Sequence, residues 1–144
     1  MNNTICRFSE GTVSLPSGYY ERTLNSLNDV KAVRPTITIS RDNLGIHNSI
    51  DEYIYSQLTI LKASMKDWSQ EPYKIVILGE NITSGILINY SFLGPKGGRP
   101  YHQQAIFTLN MEDLLIFSVS KASVLTTEDN QCFTETLKSF KTHS

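Results

Sequence analysis

Three histidines, His47, His102 and His143, are the side chains best suited to acid–base or metal chemistry near neutral pH. None belongs to an H-E-x-x-H or related ligand pattern. The two cysteines, Cys6 and Cys132, stand far apart, with no C-x-x-C pair and no Cys/His cluster at metal spacing. Both read as ordinary small residues. No G-x-S-x-G nucleophile elbow is present. Gly94-Pro95-Lys96-Gly97-Gly98-Arg99 has the look of a phosphate loop. It lacks the G-x-x-x-x-G-K-[ST] spacing and joins two predicted strands, so it reads as a hairpin loop. Glu112-Asp113 falls at a predicted turn, and Glu128-Asp129 at a predicted helix start, where carboxylates oppose the helix dipole. No acid–base, nucleophilic or metal constellation emerges. The expectation is a binding protein and not an enzyme, with no cofactor and no metal.

One glutamine, Gln57, fits less easily into a plain structural role. Ile50, Ile54, Leu58, Leu61, Met65 and Trp68 recur at helical spacing, and Gln57 falls inside that apolar stripe between Ile54 and Leu61. A glutamine amide buried without partners costs a few kcal/mol. Gln57 therefore needs either an internal hydrogen-bond partner or a groove that stays open in the free protein. On the strand predicted over Tyr101 to Leu109, Ala105, Phe107 and Leu109 form an apolar face. His102, Gln104, Ile106 and Thr108 form a mixed one, as the solvent face of an antiparallel sheet often is.

The elements that must position these residues follow from periodicity. Val13 to Leu15 alternates up to the Pro16-Ser17-Gly18 turn signal, and Tyr20 to Leu27 reads as a second strand. Thr36 to Arg41 alternates with β-branched residues, a strong strand signal. Ser49-Ile50-Asp51-Glu52 fits a capping box and opens a long helix expected to end near Trp68. Strands are predicted over Lys74 to Leu78, Gly85 to Phe92, Tyr101 to Leu109 and Leu114 to Ser120, then a helix from about Thr127 to Lys141. Strands, helix, strands, helix without βαβ alternation predicts α+β: an antiparallel sheet with two main helices packed on it, in one domain over residues 1–144.

The 144 residues carry a net charge of −1 and no Lys/Arg run, which excludes a field attractive to nucleic acid. With 40% hydrophobic residues the chain can bury a core. No apolar run approaches the ~20 residues that span a bilayer, so direct membrane insertion is not expected. Met1 to Arg7 lacks a basic start followed by an apolar stretch, so the protein is expected in the cytoplasm, where the Asn81-Ile82-Thr83 sequon has no consequence.

Several short motifs follow one another in order: Leu15-Pro16-Ser17-Gly18, Arg22 to Asn25, Thr38 to Asp42, Ser49 to Tyr53 with Gln57-Leu58, Tyr101 to Ala105, and a closing helix ending in Ser139-Phe140. Together they resemble those of the Eag (effector-associated) chaperones of type VI secretion, part of a DcrB/PsbP-like superfamily. The resemblance covers nearly the whole chain. It implies a cytoplasmic homodimer whose apolar groove shields the N-terminal transmembrane helices of a PAAR-containing effector before export, without ATP. Glutamines on the long helix and a late strand would hydrogen-bond the bound helices, which implies roles for Gln57 and Gln104, with Gln103 as the alternative to Gln104. Leu24, Ile39, Met65 and Ile106 would give the groove its apolar surface. Ser26 departs from the pattern, standing where a second apolar groove residue is expected. The alternative within the superfamily is a ligand-binding or structural module without chaperone activity.

Overall fold

The computed structural model describes residues 5–143; Met1 to Thr4, part of the stretch read for a secretion signal, and Ser144 lie outside the described residues. A hairpin of β1 (Ile5–Phe8) and β2 (Gly11–Ser14) precedes the main sheet. That sheet is antiparallel and seven-stranded: β3 (Leu24–Leu27), β4 (Ile37–Asn43), β9 (Asp113–Lys121), β8 (Tyr101–Asn110), β7 (Thr83–Leu93) and β5 (Lys66–Gln70), in that spatial order. β6 (Lys74–Leu78) also pairs with β7. Helices α1 (Ile50–Ser64) and α2 (Thr127–Lys138) complete an α+β fold.

One helix lies on each face of the sheet. α1 brings Tyr53, Ile54 and Leu58 onto Ile86, Ile88, Tyr90, Ile106, Leu114 and Ile116. α2 brings Phe133 and Leu137 onto Ile37, Leu78, Ala105, Phe107, Leu115, Phe117 and Val119. Cover on both faces explains why Leu114 to Phe117 is an unbroken apolar run: successive side chains enter opposite cores, and all four are buried. Fully burying such a side chain contributes roughly 1.5–3 kcal/mol.

The helix ends follow their capping chemistry. Ser49 accepts from the Glu52 amide at 3.2 Å, but the Glu52 carboxylate accepts from the Asn48 amide at 2.8 Å, one residue before the cap predicted for it. At α2, Thr126 and Asp129 form a reciprocal capping box, and Asp129 also holds Lys121 at 2.9 Å. Burial pushes the Asp129 carboxyl up, but the Thr126 amide and the Lys121 ammonium outweigh it and hold the group below its ordinary value.

α1 stops at Ser64, short of the predicted end near Trp68. Asp67 turns the chain into the left-handed region (φ 54°), and Lys66–Gln70 hydrogen-bonds to the edge of β7. A row of unpaired backbone groups on that long strand outcompetes further helix. Trp68 still packs on the α1 face, now from a strand, stacked on Tyr90 with ring centroids 4.9 Å apart. The strand predicted over Tyr20 to Leu27 keeps only Leu24–Leu27; before it, Arg22 donates to the Arg41 carbonyl and pairs with Asp42.

Candidate functional site

Strand register fixes which side chains share a face, because directly paired residues point the same way. Leu24, Ser40, Ile116, Ile106 and Ile86 form one row on the α1 face, and Ser26, Thr38, Ser118, Gln104 and Ile88 form the next. The isoleucines lie under α1. Toward β4 and β3 the rows change to serine, threonine and one exposed leucine, Leu24. α1 therefore covers only part of its face, and short side chains floor an open trough beside it.

Gln57 projects from the helix over this trough. It sits in the apolar stripe, yet it is exposed, because Ser40, which shares a hollow with it, is too short to cover it. Among the described residues Gln57 thus lacks the internal partner that was one of its two alternatives, and stands open to solvent. A hollow of about 180 Å³ is walled by Gln57, Ile54 and Leu58 of α1 and by Ser40, Gln104 and Ile106 of the sheet. Arg22, held by Asp42 at 2.9 Å, closes one end. The Asp42 carboxylate also accepts from the Tyr53 hydroxyl at 2.6 Å. Burial and that carboxylate keep the tyrosine's proton on well above its ordinary pKa. Neither Gln57 nor Gln104 has a side-chain hydrogen-bond partner among the described residues. Two amides without side-chain partners among the described residues thus line one hollow.

The trough continues past Gln104 as a second hollow of about 350 Å³ lined by Thr36, Thr38, His102, Ser118 and Ser120. His102 packs beside both Tyr90 and Phe92, with centroids 4.9 and 5.2 Å away, and its Nε2 is enclosed without a partner among the described residues. Burial pushes the imidazole below its ordinary value. As pH falls through about 6.5, the unfolded chain therefore takes up this proton before the folded one does. Stability is full above that pH and declines below it. Urea midpoints at about pH 7.5 and about pH 5.5 should show a drop that shrinks in His102→Phe, which keeps the stack and removes the proton site. An unchanged drop would assign it to other groups.

The sequence-derived site residues divide between the two faces. Gln57, Gln104 and Ile106 meet in one hollow, and Leu24 lies on the same face at the sheet edge. Met65 caps the far end of α1, partly buried, and does not line that hollow. Ile39 points to the opposite face, so its expected place in a groove with Gln57 is corrected, and of the alternatives Gln104 and Gln103 it is Gln104 that shares the face of Gln57: period-two alternation sends the neighbours of Ser40 and Gln104 into the α2 side. Gln103 is buried there with an unpartnered Oε1. Ile39 instead lines a more apolar hollow of about 640 Å³ with Leu27, Leu109, Leu115, Phe117 and Phe140. This α2-face hollow was missed by sequence reasoning. Its signal was present in the apolar residues that β4 and β9 send to that face and in Phe140 closing the chain.

Among the described residues no group of three or more His, Cys, Asp or Glu side chains is placed to hold a metal ion, and no helix is long and apolar enough to cross a membrane.

The family model described as DcrB matches residues 10–139. Among solved structures, a protein of unknown function, PA94 from Pseudomonas aeruginosa, shares the fold with a TM-score of 0.65 at 15% identity. The match covers 98% of this chain and 97% of that one. No curated protein matches.

Proposed function

The chain belongs to the DcrB family, and from that premise we propose that it acts as a chaperone of the Eag kind, not as an enzyme. In this reading it is a cytoplasmic homodimer that holds N-terminal transmembrane helices of a PAAR-containing type VI secretion effector before export, without ATP. The observation that carries the reading is the pair of unpartnered amides, Gln57 and Gln104, lining one hollow between α1 and the sheet.

The physics suits a membrane-helix client. Such a helix exposes more contiguous apolar surface than a soluble protein tolerates. Covering ~1,000 Å² of it gains about 25 kcal/mol gross, most of which ordering and association costs remove. Leu24, exposed at the sheet edge, supplies apolar contact, while Ile54, Leu58, Ile88 and Ile106 form the buried backing of the wall. Short Ser and Thr side chains on the floor let a helix backbone come close, and a free glutamine can donate to a carbonyl that a leucine would leave unsatisfied.

Co-expression tests this. A reporter fused to a PAAR effector's N-terminal membrane helices should become soluble when this chain is made alongside it, and co-purify with it. An unchanged soluble yield would count against the chaperone reading.

A second reading, a DcrB-type module for a small apolar ligand, draws on the α2-face hollow, whose 640 Å³ falls in the range of small-molecule sites. Native mass spectrometry of the purified chain would favour it by showing a retained apolar molecule that Phe117→Arg expels.

A further inference from the structure

The trough is electrically polarised along its length, and we infer that it takes its occupant in one direction: an apolar helix with a cationic flank, that flank lying at the end where α1 begins. This rests on the chaperone reading and goes beyond it by naming the client's chemistry and orientation.

β4 runs toward the loop that leads into α1, and α1 runs back over the sheet, so the helix and the trough beside it share two ends. At the α1 start stand Glu21, Asp51, Glu52 and Glu112, all exposed. Glu21 precedes Arg22, which closes the hollow. Glu112 sits in the β8–β9 turn, whose backbone carbonyl accepts from the Leu44 amide at 2.8 Å and so ties that turn to the entry of α1. The one cation on the hollow's wall there, Arg22, is neutralised by Asp42. The partial positive charge of the α1 N-terminus, about half a unit, offsets little of this excess.

At the other end the sign reverses. Lys62 lies in the last turn of α1, Lys66 opens β5, Lys31 lies in the β3–β4 loop and Lys96 in the β7–β8 loop, all exposed. The nearby carboxylates of Asp29 and Asp67 are already paired with Arg34 and Arg99. The excess is therefore acidic at one end and basic at the other, with an almost uncharged trough between.

A membrane helix brings the matching pattern. Its middle is uncharged, and the flank that remains on the cytoplasmic side is enriched in Lys and Arg. Placed with that flank over Glu21, Asp51 and Glu112, it meets complementary charge at one end and avoids Lys62 and Lys66 at the other. Exposed charges of this kind set orientation and encounter rate more than final affinity, and salt screens them.

The test uses the full chain and apolar alanine–leucine helices of about 20 residues. One carries lysines at its N-terminal end only, one at its C-terminal end only, and one glutamates at its N-terminal end only. Each has a photo-cross-linker beside the flank. Both lysine flanks should cross-link to the α1 entry loop and the β8–β9 turn, whichever way the helix runs, and the glutamate flank to the α1 exit. In Asp51→Lys/Glu112→Lys that preference should fall at least about fivefold, as it should for the unsubstituted chain on going from about 50 to about 500 mM salt. If all three helices bind and every flank cross-links equally at both ends, the direction is wrong and the trough remains a helix site. If none binds, this inference falls together with the chaperone reading.

Discussion

Phe107→Ala should cost about 3–5 kcal/mol, the range for emptying a fully buried aromatic site, and so remove much of the stability of an ordinary domain. Phe107 has no exposed surface and meets Phe117 edge to face, with centroids 6.0 Å apart and planes at 85°. Its ring also lies over Gly85 on the paired strand, where an added Cβ would fall 2.5 Å from a ring carbon and 2.2 Å from the Ile106 carbonyl. Glycine and phenylalanine are thus shape partners across β7 and β8. The chain cannot refill the vacated volume by a small shift, because α2 and β9 close it from above and beside. Urea unfolding followed by the circular dichroism of the sheet checks this. A loss under about 1 kcal/mol would mean that the α2-side core is far looser than its burial indicates.

Gln57→Ala combined with Gln104→Ala should leave the urea midpoint nearly unchanged and weaken retention of a membrane-helix client about tenfold. Gln57 is exposed and Gln104 half-buried, and neither amide bonds to the rest of the protein among the described residues, so the fold loses little when they go. A client that had used both loses two hydrogen bonds worth about 0.5–1.5 kcal/mol each, and the carbonyls they met are left unsatisfied. Gln103→Leu is the internal control. It removes a buried acceptor that lacks a partner, on the other face, and should preserve client retention without lowering stability. Titration with a lysine-flanked apolar helix separates the outcomes. Equal affinity for the double variant and the unsubstituted chain would show that the glutamines do not touch the client.

The sequence made the fold class and most element positions legible because both depend on local period. β-branched alternation at Ile37 to Arg41 and the spacing of Ile50, Ile54, Leu58 and Leu61 each have one good structural solution. Trp68 shows the limit. Its spacing continues the helical stripe, but the stripe fits equally a strand that buries one aromatic side chain. Only the unpaired edge of β7, distant in sequence, decides between them. The site was legible to the same extent. Gln57 among apolar residues was visible as a misfit, whereas Gln104 read as part of an ordinary solvent face and was singled out only by the family resemblance; both line one hollow. Ile39 was assigned to the wrong face because the face of a strand residue depends on register, which a one-residue difference inverts. The α2-side hollow stayed hidden because Leu27, Ile39, Leu109 and Phe140 come from four separate segments and look like ordinary core residues until the sheet assembles them.

β3 offers a direct test of which hollow takes the client. Leu24 and Leu27 lie in the same short strand and point to opposite faces, Leu24 toward the α1 side and Leu27 into the α2-side hollow. A polarity-sensitive fluorophore can be placed at position 24 or at position 27 through a single cysteine, in a chain carrying Cys6→Ser and Cys132→Ser. Addition of an apolar helix with a lysine flank should shift the emission of the label at 24 to the blue and leave the label at 27 unmoved. A response at 27 alone, or at neither position, would contradict a helix-holding trough between α1 and the sheet.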